Sequence, residues 1–163
     1  MINVIAAISR NRALGYNGDL IYHIREDLKR FKSLTTGHTV VMGRKTFDSL
    51  PGGALPNRRN IVITRQDVSF ENAETVHSLD EALEISKDDK EIFIIGGASI
   101  YKEAMDKGIV DRFYMTEVED VPIHADVFFP DIPFEYDVTF ASVHTAENNL
   151  IYSFVDYEKK EQP

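Results

Sequence analysis

The chain has 163 residues, a length that suits one domain with its own hydrophobic core. Its content of 43% hydrophobic and 28% charged residues is ordinary for a soluble globular protein, and its net charge of −9 disfavours nonspecific binding to nucleic acid or to anionic membranes. The absence of cysteine excludes disulfides, thiolate nucleophiles and cysteine-ligated metals. The amino-terminal sequence lacks signal-peptide character and no apolar run approaches the ~20 residues of a membrane span, so we expect no membrane partner and a cytoplasmic protein.

Short apolar runs alternate with helical periodicity through most of the chain. The pattern first predicts a strand over 3–8, a loop over 9–19, a helix over 25–34, a strand over 39–42, a short helix over 44–50, a loop over 51–59 and a strand over 60–64. It then predicts a capped helix over 78–86, a strand over 91–95, a helix over 98–107, a strand over 111–118, an acidic loop over 120–133 and an antiparallel hairpin over 136–143 and 150–158. This order predicts a three-layer α/β fold over 1–163 as a single domain, with a mostly parallel central sheet, an antiparallel C-terminal edge hairpin and helices on both faces.

The first predicted helix carries an acid beside its apolar face. Residues at helical spacing predict one buried stripe: Ile24, Leu28, Phe31 and Leu34. Asp27 borders this stripe, and a carboxylate with apolar neighbours is costly unless a cationic or amino-bearing group pairs with it. A bound heterocycle with an amino group and a ring N–H is such a partner. The alternative is that Asp27 only stabilises the helix dipole from the first turn.

Two predicted strands end in glycine and lead into a helix. After the first strand, Arg44 and Lys45 stand at a helix start, where cations are unfavourable unless an anion binds; extension into water is the alternative. After the second strand, Gly96 and Gly97 permit close approach of a phosphate-bearing ligand, or form an ordinary tight turn. Arg65 is a third candidate phosphate contact, or an exposed strand-end charge. Two such strand ends in one sheet are typical of a dinucleotide site.

Other kinds of catalytic site are not indicated. The five histidines lack the spacing of a zinc site, so no metal is expected, and no GxSxG nucleophile motif occurs. A hydride-carrying cofactor beside a carboxylate that holds an amino-bearing ring is a reductase arrangement.

Eight segments, in order and in register, resemble the dihydrofolate reductase family over nearly the whole chain: VIAAIS, LGYNGDL, EDLKRFKSLT, VVMGRKTFDSL, LPNRRNIVITR, IFIIGGASIY, FYMTEV and ADVFFP. The resemblance implies NADPH-dependent reduction of 7,8-dihydrofolate to 5,6,7,8-tetrahydrofolate in one-carbon metabolism, by an oxidoreductase that is an antifolate target. Hydride would pass to pterin C6 and a proton to N5. Asp27 is then the acid that binds the pterin and aids protonation of N5, and Tyr22 replaces a tryptophan that holds an active-site water. The family is usually monomeric, so a monomer is expected.

The same resemblance implies two sets of binding residues. The substrate set is Ile5, Ala7, Asp27, Leu28, Phe31, Lys32, Leu50, Leu55, Arg58, Ile95 and Thr116. The cofactor set is Ala7, Leu14, Gly15, Asn17, Gly18, Asp19, Leu20, Gly43, Arg44, Lys45, Thr46, Thr64, Arg65, Gly96, Gly97, Ala98, Ser99, Ile100 and Tyr101. Core packing explains the apolar members of the substrate set equally well. The cations of the cofactor set match a 2′-phosphate cluster and imply NADPH over NADH.

Individual roles follow from the same resemblance. Arg58 is matched to the arginine that pairs with the glutamate carboxylate of folate, and Thr116 to the threonine that hydrogen-bonds the acid. The segment 14–20 is matched to a mobile loop that closes over nicotinamide, and Asp126 to an acid that steadies this loop.

The chain also departs from the family pattern. Ile21 and Tyr22 replace a usual Pro-Trp pair, and Arg25 replaces a proline common at the helix start, which would shift that start by a turn. A second arginine of the folate-tail loop is missing, and Lys32 would partly compensate for it. Two alternatives remain: another pteridine or pyrimidine reductase of the kind used in riboflavin biosynthesis, and a noncatalytic nucleotide- or folate-binding module.

Overall fold

The computed structural model describes residues 1–161. Its strands are β1 (Ile2–Ile8), β2 (Ala13–Tyr16), β3 (Asp19–Leu20), β4 (Thr39–Gly43), β5 (Arg59–Ile63), β6 (Ala73–Val76), β7 (Ile92–Gly96), β8 (Arg112–Val118), β9 (Val127–Phe128), β10 (Tyr136–Thr145) and β11 (Ile151–Lys159). Its helices are α1 (Arg25–Thr35), α2 (Arg44–Ser49), α3 (Leu79–Ile85) and α4 (Ala98–Asp106). The helix α1 therefore begins at the predicted residue even though arginine stands in place of proline.

Eight strands form the central sheet in the order β10-β11-β8-β1-β7-β4-β5-β6. All neighbours from β8 to β6 pair in parallel, whereas β11 pairs antiparallel with both β8 and β10. The predicted α/β sheet with an antiparallel C-terminal edge is confirmed. Because β11 lies between β8 and β10, the last strand within residues 1–161 is inside the sheet and not at its edge.

Side chains of the central strands alternate between two hydrophobic clusters. Val4 and Ile8 of β1 join a cluster that includes buried residues of α3 and α4, such as Leu79 and Tyr101. Ile5 faces the other way and packs on a second cluster that includes Phe47 of α2 and the part-buried Leu34 of α1. The helices thus cover both faces of the sheet, as predicted. No helix within residues 1–161 is long and apolar enough to cross a bilayer.

Two predicted loops contain short strands. Strands β2 and β3 lie within the predicted loop 9–19, and β9 lies within the predicted loop 120–133. They form a separate sheet in the order β3-β2-β9, in which Gly15 is opposite both Leu20 and Val127. Strand β6 was also not predicted. These strands have two to four residues, too few for a hydrophobic period to be visible.

The predicted apolar stripe of α1 is only partly buried. Ile24 is 7% exposed, but Leu28 is 57% exposed, and Phe31 and Leu34 have intermediate burial. The prediction of one buried stripe is therefore wrong at Leu28. Leu28 therefore faces an open surface, although it has the helical spacing of the part-buried Phe31 and Leu34.

Candidate active site

The carboxyl group of Asp27 lies where α1 crosses β8. Thr116 of β8, which is 3% exposed, donates a hydrogen bond of 2.5 Å from Oγ1 to Oδ1 of Asp27. Burial raises the pKa of Asp27, while the hydrogen bond from Thr116 and the charge of Arg30 act in the opposite direction. The net result is a pKa above the ordinary range of aspartate. Asp27 can therefore keep a proton at a higher pH than an exposed aspartate does.

The strand register explains why Thr116 faces this helix. Thr116 is opposite Ala7 of β1, and Tyr114 is opposite Ile5. Residues two apart on a strand share a face, so Ile5, Ala7 and Thr116 all lie on the α1 side of the sheet. Val118, two residues further along β8, packs in a small cluster with Ile24 and Tyr152, and this cluster holds the start of α1.

Apolar side chains from β1, from β7 and from the loop after α2 lie on the same face of the sheet. The part-buried residues that pack on the second cluster include Ile5, Leu50, Leu55 and Ile95. None of these four is fully buried, so each keeps some surface free beyond its core contacts. Leu28 adds an exposed apolar side chain on α1, and part-buried apolar side chains of this kind suit contact with a planar ring system. Core packing and ligand contact are thus compatible roles for these residues.

Arg58 has a guanidinium without a carboxylate partner among the ion pairs of residues 1–161. Its Nε donates to the Pro56 carbonyl at 2.9 Å and its Nη1 to the Thr35 hydroxyl at 3.1 Å, while Cζ lies 5.9 Å from the centre of the Phe31 ring. Burial lowers its pKa. A partly desolvated arginine that is held by neutral acceptors beside an aromatic ring keeps its charge available to an anion. Lys32 is exposed on the same helix as Phe31.

The two predicted strand–glycine–helix turns are adjacent in the sheet. Met42 is opposite Gly96 in the pairing of β4 with β7, and a Cβ added to Gly43 would lie 3.8 Å from the nitrogen of Gly97. Gly96 has a φ of +131° and is joined to Gly97 by a cis peptide bond. A Cβ on Gly96 would lie 3.2 Å from Oγ1 of Thr46. Only glycine suits this position, and the bare backbone it leaves allows a ligand to approach closely.

Tyr101 connects the glycine turn with the acid. It is 4% exposed, and its hydroxyl donates to the Ile5 carbonyl at 2.7 Å. The same hydroxyl would be 3.5 Å from a Cβ on Gly96. Burial and the charge of Asp27 both raise the pKa of Tyr101, so the phenol stays neutral. Asp27 and the glycine turn therefore lie at the same end of the sheet. The Tyr101 hydroxyl is next to the turn and close enough to Asp27 for the carboxylate charge to act on it.

The helices that follow the glycine turns have open N-termini. Gly43 precedes α2 and Gly97 precedes α4, and neither helix has a side-chain cap or an acidic residue in its first turn. By contrast, Ser78 caps α3 by accepting from the Glu81 nitrogen at 3.0 Å. Uncapped backbone N–H groups at a helix start favour an anion. The predicted contacts Ala98, Ser99 and Ile100 are the first three residues of α4.

The predicted phosphate contacts gather near the start of α2 and the end of β5. Lys45 and Arg65 are exposed, and Thr64 is buried. Arg44 contacts Oδ1 of Asp48 at 3.3 Å and donates to Gln66 at 3.0 Å. Arg44 is thus positioned by its neighbours, while Lys45 and Arg65 extend towards solvent.

The segment 14–20 is tied to a second loop. The Asn17 nitrogen donates to Oδ2 of Asp126 at 3.1 Å, and the Asp126 nitrogen donates to the Gly15 carbonyl at 3.0 Å. Leu14 and Gly15 are buried, whereas the remaining predicted contacts of this segment are exposed: Asn17, Gly18, Asp19 and Leu20. Leu14 packs in the core. The Asp126 contact is the one that the sequence resemblance implied for the loop.

Tyr22 donates its hydroxyl to Oδ2 of Asp120 at 2.9 Å. Burial, followed by the hydrogen bond and charge of Asp120, raises the pKa of Tyr22, so it remains a neutral donor. This hydrogen bond joins residues 98 positions apart, and no local sequence signal indicates it. Because the hydroxyl proton is donated to Asp120, Tyr22 can hold the predicted water only by accepting a hydrogen bond from it.

Comparison with known proteins agrees with the resemblance seen in the sequence. The family profile described as dihydrofolate reductase matches residues 1–159. A protein named dihydrofolate reductase from Bacillus subtilis (strain 168) is 39% identical over 168 aligned residues, covering 98% of this chain and 95% of the relative. Proteins of the same name from Neisseria gonorrhoeae and Staphylococcus aureus are 40% and 37% identical, covering 96% and 98% of this chain and the same shares of the relatives.

Proposed function

The chain belongs to the dihydrofolate reductase family, and we propose that it reduces 7,8-dihydrofolate to 5,6,7,8-tetrahydrofolate with NADPH. One observation carries this proposal most directly. The Asp27 carboxyl, with its raised pKa, accepts a hydrogen bond from Thr116 at the end of the sheet where the double-glycine turn also lies. An acid so placed can bind an amino-bearing ring and retain a proton for it.

The residues present fit a phosphate-bearing nicotinamide cofactor. The turn at Gly96 and Gly97 carries no side chain and packs closely on Thr46, and the open N-termini of α2 and α4 offer N–H groups to phosphate. Bound there, NADPH supplies the hydride. We propose NADPH over NADH because cations cluster nearby, and the full set of proposed contacts is Ala7, Leu14, Gly15, Asn17, Gly18, Asp19, Leu20, Gly43, Arg44, Lys45, Thr46, Thr64, Arg65, Gly96, Gly97, Ala98, Ser99, Ile100 and Tyr101.

On the substrate side, Asp27 binds the amino group and ring N–H of the pterin and supports protonation of N5. A protonated Asp27 stabilises the developing positive character of the ring less than an ionised one does. The ratio of the two forms, which the hydrogen bond from Thr116 helps to set, therefore affects both the binding of the ring and its protonation. The proposed apolar contacts are Ile5, Ala7, Leu28, Phe31, Leu50, Leu55 and Ile95. Arg58 pairs with the carboxylate of the glutamate tail, assisted by Lys32.

The segment 14–20 closes over the nicotinamide and excludes water from the reacting atoms. The hydrogen bond from the Asn17 nitrogen to Asp126 supports this assignment, because it gives the exposed part of the segment a second loop to dock on when it closes. Tyr22 is proposed as a catalytic contact that places a water near the pterin while Asp120 fixes its ring. We further propose that the protein is a single-domain monomer of the cytoplasm.

The test is a spectrophotometric assay that follows loss of the reduced cofactor with dihydrofolate, run with NADPH and then NADH. Asp27→Asn should fold but lose most of its turnover at neutral pH, because the amide cannot hold the proton. Glu26→Gln is the matched control: it removes a neighbouring acid from the first turn of α1, where Glu26 is exposed and pairs with Lys29 at 3.3 Å. Near-normal turnover of Asp27→Asn would overturn the role assigned to Asp27.

A further inference from the structure

A second ionic group lies beside Asp27 and has no part in the proposed reaction. Arg30 is three residues after Asp27 on α1, so both side chains lie on one side of the helix. The Arg30 guanidinium donates from Nη2 to Oδ1 of Asp156 on β11 at 2.5 Å. The two side chains are only 18% and 20% exposed, which sets this ion pair apart from the exposed ones at the protein surface.

An aromatic ring fixes the position of the Arg30 guanidinium. Its Cζ lies 4.4 Å from the centre of the Phe154 ring and 5.8 Å from that of Tyr114. Phe154 is therefore in the range of a cation–π contact. The hydrogen bond to Asp156 and the ring of Phe154 together hold Arg30 over β11.

The register of β8 and β11 places Arg30 between two carboxylates. Thr116, the partner of Asp27, is opposite Phe154, and Tyr114 is opposite Asp156. The two acids are thus anchored two residues apart along neighbouring strands, with α1 above both. Arg30 forms its direct contact with Asp156, while its charge also acts on Asp27 over a longer distance.

Arg30 is the cation that acts on the pKa of Asp27, whereas the neighbouring hydroxyl groups are uncharged. Thr116 from β8 is a neutral donor that hydrogen-bonds to Oδ1 of Asp27. Burial raises the pKa of both Tyr101 from α4 and Tyr152 from β11, and both phenols stay uncharged near Asp27. Glu26, the adjacent acid on α1, also acts on Tyr152. The positive charge of Arg30 opposes the effect of burial on Asp27.

We propose that Asp156 is a positioning residue for the reduction: by holding Arg30 over β11 it limits the positive charge that reaches Asp27, and so sets the pH range in which Asp27 carries a proton. The inference rests on the proposed function for its catalytic meaning. Its electrostatic part concerns the unliganded protein and does not depend on the reaction.

The charge arrangement gives opposite signs for two single variants. In Asp156→Asn, a negative charge is lost and Arg30 is freed towards Asp27, so the pKa of Asp27 falls. In Arg30→Met, the positive charge is lost and Asp156 remains, so the pKa of Asp27 rises. Each shift should be on the order of half a pH unit. The double variant removes a neutral pair and should return the pKa close to that of the parent protein.

The experiment measures the titration of the Asp27 carboxyl carbon by NMR in the unliganded full chain, and then the pH profile of kcat. A change in stability alone would not move the two variants in opposite directions. Glu158→Gln is the matched control, because Glu158 is two residues further along β11 and pairs with Arg112 at 2.9 Å. It should leave the titration of Asp27 unchanged. Arg30→Gln also removes the charge, so it should raise the pKa of Asp27 as well, and it covers the case in which Arg30→Met fails to fold.

Shifts of the same sign in both single variants, or no shift in either, would overturn the inference. An equal shift in Glu158→Gln would overturn it as well, since any acid on β11 would then have the same effect. If the titration shifts as expected and the kcat profile does not follow, the positioning of charge stands and the catalytic role proposed for Asp27 fails. The two failures are therefore distinguishable.

Discussion

Gly96→Ala tests the proposal that bare backbone at the double-glycine turn is required. The φ of +131° at Gly96 is a conformation that residues with a side chain rarely adopt, and forcing such a residue into it costs about 1–3 kcal/mol. The new methyl group would also lie 3.2 Å from Oγ1 of Thr46, so that side chain must move by a few tenths of an ångström. For a protein of this length, about 2 kcal/mol corresponds to a fall in Tm of roughly 4–8 °C.

The assay has two parts, urea unfolding followed by circular dichroism and NADPH binding followed by fluorescence. Gly96→Ala should lose about 1–3 kcal/mol of unfolding free energy and bind NADPH at least tenfold more weakly, since a clash of 1.4 kcal/mol with the ligand is enough for that factor. Gly52→Ala is the control, because Gly52 has open space around its missing Cβ and no positive φ. The reasoning fails if Gly96→Ala matches Gly52→Ala in both measurements.

Three further variants test the remaining assignments. Thr116→Val removes the donor that favours the ionised form of Asp27, so the pKa of Asp27 rises and the high-pH limb of the kcat profile moves to higher pH; a move to lower pH would contradict this sign. The double variant Arg44→Ala/Arg65→Ala should raise the Kd of NADPH at least tenfold and change that of NADH little, and equal losses would refute the 2′-phosphate assignment. Tyr22→Phe should lose about 1 kcal/mol of unfolding free energy with its hydrogen bond and show a modest fall in kcat, and an unchanged kcat would remove Tyr22 from the catalytic set.

The long elements of this fold could be predicted from the sequence because each carries a visible hydrophobic period. Strand β1, helix α1 and helix α4 all lie within two residues of their predicted bounds. The capping spacing of Ser78 and Glu81 also marked the start of α3 correctly. Strands β2, β3 and β9 were not predicted because each is stabilised by pairing with the others and not by its own pattern.

The candidate site shows the same division between local and distant information. Asp27 could be singled out because its position beside apolar residues is visible in a few consecutive letters. The burial of Leu28 was predicted wrongly, because helical spacing does not distinguish a face that packs on protein from one that lines an open surface. The acceptors Asp120 and Asp156 lie 98 and 126 residues from their donors, and neither occurs in a recognisable motif.

The interior position of β11 has a consequence for synthesis on the ribosome. Until residues 151–159 have emerged, the side of β8 away from β1 has no neighbouring strand, and β10 has no strand to pair with. The parallel strands precede β11 in the chain and can assemble earlier, but the support behind α1 is completed only by β11, the last of the eight strands of this sheet in chain order. A nascent chain truncated before Asp156 would therefore carry the proposed cofactor contacts without the complete strand that supports Asp27.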